Sequence, residues 1–160
     1  MKTGRISIGL ALGLGLAMGA HAEGLCESRE AVIFNCELIK SVSSLCRSND
    51  NHVLTYRNGS KGDLNLQISD ERGGGVNFYF SSTPYSGGGE SHIRFSRFHY
   101  TYYLYDKIVK SDDGPIFSAG IIIYKDDRKV ANLFCKNDAT IRESAYDTIT
   151  RETYRSISDQ

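Results

Sequence analysis

The chain has 160 residues, with 19 Lys+Arg against 19 Asp+Glu, four Cys, no Trp and two Pro. That length fits a single domain, and the balanced charge leaves no electrostatic excess for gripping nucleic acid or an anionic membrane. With 40% hydrophobic and 24% charged residues, and neither a Gly-X-Y nor a heptad period, the collagen-like, coiled-coil and disordered classes are poor fits.

Met1-Lys2-Thr3-Gly4-Arg5 opens the chain, an apolar run from Ile6 to Ala20 follows, and Ala20-His21-Ala22 closes it. A basic start, an apolar stretch of that length and an A-x-A site predict a signal peptide over 1–22, cleaved before Glu23. The alternative is a membrane anchor, but the run is shorter than the roughly 20 residues a spanning helix needs. A cleaved chain would have no stable membrane insertion, and the leader takes away Lys2 and Arg5 and no acid, leaving a formal charge of −2. The expected location is periplasmic or secreted.

Export sets the reading of Cys26, Cys36, Cys46 and Cys135. In an oxidising compartment an even number of thiols predicts disulfides, here two, with three possible connectivities. Zinc is a poor fit, because no CxxC is present and nine residues separate each of the first three cysteines. A bridge from the Cys36 or Cys46 region to Cys135 would close a loop of roughly 90 to 100 residues and tie the first strands to the last.

From Ala31 to Cys135 the hydrophobic pattern has period two. Val32, Phe34, Cys36 and Leu38 alternate with polar positions, and Ser41 to Cys46 continues in a β-favouring run. His52 to Arg57 and Leu64 to Ile68 flank Asn58-Gly59 and Lys61-Gly62, a predicted turn cluster. Val76, Phe78 and Phe80 follow Gly73-Gly74-Gly75, and Ile93 and Phe95 follow Gly87-Gly88-Gly89, both glycine runs reading as flexible loops. Phe98, Tyr100, Tyr102 and Leu104 alternate with His99, Thr101, Tyr103 and Tyr105. Ile116 to Tyr124 reads as a buried central strand, and the Asp126-Asp127 turn leads into Lys129 to Cys135. This predicts a mainly β domain over 23–137, an antiparallel barrel or sandwich of about eight strands. Over 138–160 the spacing of Ile141, Ala145 and Ile149 suggests a short C-terminal helix, with a loose tail as the alternative.

Enzymatic signatures are thin. No HExxH, GxSxG, P-loop or SxxK occurs, and no cofactor or metal motif. His92 or His99 with Glu90 or Asp106 would supply an acid/base pair, weighed against the plainer reading of two polar strand positions. The alternation instead directs attention to an outward face. Arg94, His99 and Tyr103, with Tyr85 in the loop Ser81 to Glu90, form a candidate binding face of hot-spot composition. On that reading Arg94, His99 and Tyr103 are exposed, while Phe95, Tyr100 and Tyr102 are buried.

The segments Phe34-Asn35-Cys36-Glu37-Leu38, Ser41-Val42-Ser43-Ser44-Leu45-Cys46, Gly88-Gly89-Glu90-Ser91-His92-Ile93-Arg94-Phe95 and Leu133-Phe134-Cys135 resemble an uncharacterised family of small exported bacterial β-rich proteins. A looser similarity, in size, export, cysteines and strand pattern, is to the periplasmic and membrane-bound inhibitors of c-type lysozyme. Ser82-Thr83-Pro84-Tyr85 only partly echoes their Ser-Gly-x-x-Tyr motif, and their Thr-Lys-Gly is absent. The expectation is an exported non-catalytic binding protein, an inhibitor or immunity-type protein acting on a cell-wall hydrolase or toxin, whose partner is another protein of the cell envelope. The alternatives are a periplasmic hydrolase using His92 or His99 and an envelope structural component.

Overall fold

A computed structural model describes residues 23–70 and 76–157, so the leader read at 1–22, the glycine run 73–75 and residues 158–160 lie outside the described residues. Strands β1 (Glu30–Glu37), β2 (Val42–Ser48), β3 (Leu54–Ser60) and β4 (Asp63–Ser69) form one antiparallel sheet in that order. Strands β5 (Tyr79–Tyr85), β6 (Gly88–Arg97), β7 (Tyr100–Ser111), β8 (Gly114–Lys125) and β9 (Arg128–Phe134) form a second. A five-residue helix, α1 (Ser144–Thr148), leads to the two-residue β10 (Thr150–Arg151), which pairs parallel to β5 at the edge of that sheet. The sheets are open, so the architecture is a sandwich and not a barrel.

The two sheets bury the apolar side chains that alternation assigns to their facing sides. Ile33, Phe34, Leu45, Tyr56 and Ile68 meet Phe80, Ile93, Phe95, Leu104 and Ile121, each with 5% or less of its surface exposed. Ile33 and Phe34 are neighbours yet both buried, because a register shift between Val32 and Phe34 interrupts the period-two pattern. Phe95 is the hub, with Tyr56 at 4.8 Å, Phe78 at 4.9 Å and Tyr102 stacked at 5.0 Å. Burial, against a hydrogen bond to Ser43, pushes the Tyr56 hydroxyl up to about 12. Ile141, Ala145 and Ile149 join the same core, but only Ala145 lies in α1; the helix is shorter than their spacing suggested, and the two isoleucines flank it in non-helical backbone.

Of the three connectivities the chain adopts Cys26–Cys46 and Cys36–Cys135. The second spans 99 residues and joins β1 of one sheet to the end of β9 in the other. Asn137 reinforces that junction, accepting from the Glu37 backbone N–H and donating to the Asn35 carbonyl. Two such bridges place folding in an oxidising, non-cytoplasmic environment. Among the described residues no helix is long and apolar enough to cross a membrane.

Several local expectations are corrected. Asn58 and Gly59 lie within β3, not in a turn; a bulge there turns the Asn58 amide onto Ser43 Oγ at 2.6 Å, and Lys61-Gly62 makes the turn. Ser81 to Glu90 is not a flexible loop. It is the paired ends of β5 and β6 around a two-residue Ser86-Gly87 turn. Phe98 and His99 fall in the β6–β7 turn, with Phe98 at φ 53° and 88% exposed, because the chain must reverse there. Only the inner half of the Ile116 to Tyr124 run is buried, since Ile116 and Phe117 project from the long β7–β8 hairpin.

Candidate functional site

Alternation along β6 sends Ile93 and Phe95 into the core and Glu90, His92 and Arg94 to the opposite face. The register sets Tyr79 and Tyr103 on either side of Arg94, and Ser81 and Tyr105 on either side of His92. This is the face the sequence pointed to, but it is not open. After β10 the chain runs extended across it. Glu152, Tyr154 and Ser156 are partly buried, the residues between them are exposed, and Ile157 is buried against Tyr103, Tyr105, Ile122 and Tyr124.

The C-terminal segment is held by charge and by rings. Arg94 donates to Glu152 from Nε at 2.8 Å and Nη2 at 2.6 Å while its guanidinium lies 4.6 Å from the Tyr79 ring. Tyr124 Oη and Lys129 Nζ both donate to the Ile157 carbonyl. Tyr154 places its ring 5.0 Å from His92, and its hydroxyl is 3.3 Å from that of Tyr85.

Beneath Tyr154 lies a polar cluster. The Glu90 carboxylate accepts from His92 Nε2, from the Tyr85 hydroxyl and from Lys107 Nζ. Burial alone would push the Glu90 carboxyl up, but the hydrogen bonds from His92 and Tyr85 and the nearby cations outweigh it and hold it at about 2. Burial and bonding to Glu90 and Tyr154 push the Tyr85 hydroxyl upward. His92 is 1% exposed, and its Nδ1 has no hydrogen-bond partner among the described residues. A carboxylate holding one ring nitrogen and leaving the other bare is the core of an acid/base dyad. Among the described residues no hydroxyl or thiol stands on Nδ1 to be activated, and all four cysteines are in disulfides.

The predicted site residues therefore divide. Tyr85 and Arg94 belong to the covered cluster, Tyr85 at its rim and 36% exposed, Arg94 half-buried under Glu152. Tyr103, expected to be exposed, is 9% exposed because Ile157 packs over its face. Tyr100, expected in the core, is 36% exposed beside the turn, and Tyr102 is only partly buried. His99 is exposed and pairs through Nδ1 with Asp126 at 2.8 Å, tying together the β6–β7 and β8–β9 turns. The fold keeps His99 apart from His92 by the rest of β6. Asp106, weighed as a partner for the histidines, faces the other way and accepts from Thr140 Oγ1 and the Ile141 N–H.

Glu152 and the capping role of Tyr154 were missed. Their signal is the alternation Glu152, Tyr154, Ser156, a half-covered extended segment too short to stand out. The group Cys26, Cys46 and Glu30 has metal-ligand proximity, but both sulfurs are bonded to each other and Glu30 is engaged by Arg57. Comparison of the chain with protein-family models, curated proteins and solved structures finds no match.

Proposed function

We propose that this chain is an exported, non-catalytic binding protein, periplasmic or secreted, that acts as an inhibitor or immunity-type protein on a cell-wall hydrolase or toxin. The observation that carries the reading is the β7–β8 hairpin. Each of its strands has 12 residues, against seven or eight in the strands of the opposing sheet. Its outer half carries apolar pairs on both faces, Ile108 opposite Phe117 and Val109 opposite Ile116. Ile108, Ile116 and Phe117 are 38%, 53% and 70% exposed. Apolar side chains gathered on a projecting arm suit contact with another protein. The leader read at 1–22 and the two disulfides support an extracytoplasmic setting.

The test is titration of the oxidised protein into a panel of cell-wall hydrolases degrading peptidoglycan and of envelope toxins, with an Ile116→Asp/Phe117→Asp variant beside it. Stoichiometric inhibition that the variant loses supports the reading. No inhibition and no complex by size exclusion across the panel would overturn it.

A hydrolase using His92 is the second reading, favoured by the bare Nδ1 beside Glu90. It requires the C-terminal segment to leave the ring. Turnover abolished by His92→Ala but kept by His99→Ala, in protein that remains folded, would establish it.

A further inference from the structure

The face of the second sheet that forms the core runs out beyond its cover. Leu104 and Ile121 are fully buried and Ala119 is 8% exposed, but the next residues on that face, Ile108 and Phe117, are open. Two adjoining hollows lie there, of about 880 and 450 Å³, and both are lined by Asp106, Ile108 and Thr140. Their apolar lining includes Ile108, Phe117 and Tyr146 of α1.

The rest of the lining is one-sided in charge. Asp138, Glu143 and Asp147 contribute exposed carboxylates from the segment after β9. Among the described residues Lys107 is the one basic side chain lining either hollow, and its ammonium is turned to Glu90. Arg142, beside these acids in sequence, is paired with Glu23. An apolar floor under a rim of one sign selects an occupant of the opposite sign.

We propose that this groove docks a basic segment of a partner protein, with an aliphatic or aromatic side chain on Ile108 and Phe117 and lysine or arginine side chains against Asp138, Glu143 and Asp147. The proposal rests on the reading of the chain as an envelope binding protein and adds the partner's chemistry. Complementary charge of this kind sets partner choice and encounter rate, while the apolar anchor holds the complex.

Two labelled peptides test it by fluorescence anisotropy against the oxidised protein: one alternating Lys or Arg with Leu or Phe, and a counterpart with Glu in place of every basic residue. The basic peptide should bind at least about tenfold more tightly, and added salt should weaken it. Glu143→Lys/Asp147→Lys should weaken it about tenfold or more, and so should Phe117→Ser. These side chains are exposed, so both variants should melt within a few degrees of the parent; Asp138→Lys is the substitute if either does not. Equal affinity for the two peptides, no binding of the basic one, or unchanged binding in the variants would overturn the proposal. The hydrolase panel separates it from the broader reading. Inhibition retained in every groove variant overturns the groove and leaves the binding function standing, whereas peptide discrimination without inhibition of any hydrolase or toxin supports the groove and removes the inhibitor role.

Discussion

Glu90 is the residue on which most of the buried polar cluster converges. Replacing it by Gln would remove the charge that Lys107 faces and leave the buried hydrogen bonds around it under-satisfied, a change that costs about 1 to 3 kcal/mol. Its carboxyl is held at about 2 against a usual 4.5, so the stabilisation is complete above the ordinary value and disappears as pH falls through the folded value. Denaturant unfolding should therefore show the protein losing stability between about pH 5 and pH 2. Glu90→Gln should flatten that slope, and an unchanged slope would mean that Glu90 does not carry it. Glu30 is partly buried, which would raise its carboxyl, but hydrogen bonds from Arg57 outweigh that and lower it, so it acts in the same direction. Tyr103 and Tyr102 form a second pair of tests. Tyr103→Ala should cost about 3 kcal/mol because Ile157 and Tyr124 close over it. Tyr102→Ala, losing the stack on Phe95, should cost a similar amount. Neither should therefore behave as a surface mutation, and a Tyr103→Ala melt identical to the parent would mean that the C-terminal segment does not cover that face.

The decisive elements are the tight hairpins and the C-terminal segment. Gly88 stands where a Cβ would come within 2.0 Å of the Ile108 carbonyl oxygen of β7. Gly88→Ala should force the strands apart and cost about 1 to 3 kcal/mol or more. Gly62 has φ 90° but open space for at least 4 Å around the point a methyl would occupy, so the same change there should lose only about 1 kcal/mol. Thermal melts of the two variants should rank in that order. The C-terminal segment adds no strand beyond β10 among the described residues, yet Ile157 closes a second apolar cluster and Glu152 neutralises Arg94. A chain ending at Arg151 should remain folded with a lower Tm, and the Arg94, His92 and Tyr103 side chains should become accessible. Faster hydrogen exchange along β6 and β7 with little change in β1 to β4 would show that loss, and uniform acceleration would mean that the segment holds the whole fold.

At the scale of the molecule, two covalent links act over different lengths of chain. Cys36–Cys135 closes 99 residues and crosses from sheet to sheet, whereas Cys26–Cys46 closes 20 and pins the N-terminal segment onto β2. The chain-entropy treatment values them at about 5 and about 3 kcal/mol. Paired Cys→Ala variants, unfolded in guanidinium, should differ in that order, and full reduction should lower stability more than either. A larger loss from the Cys26–Cys46 pair would mean that the N-terminal cover matters more than the link between sheets.

Period two in the sequence was sufficient to place most strands, because each strand has one face in a common core and alternation is a local property of the chain. The same reasoning put His92 and Arg94 on one face and Ile93 and Phe95 on the other, but left Glu90 in a loop that the structure turns into strand. It failed at Asn58-Gly59 and Phe98-His99, where a bulge and a reversal break the period without an unambiguous residue signature. Composition and compartment indicated two disulfides, but their pairing required the fold, since only packing of the two sheets brings Cys36 and Cys135 together. What covers each face was also a tertiary decision. Arg94 and Glu152 are 58 residues apart, and no local pattern tells a strand face turned to solvent from one beneath a distant segment of the same chain.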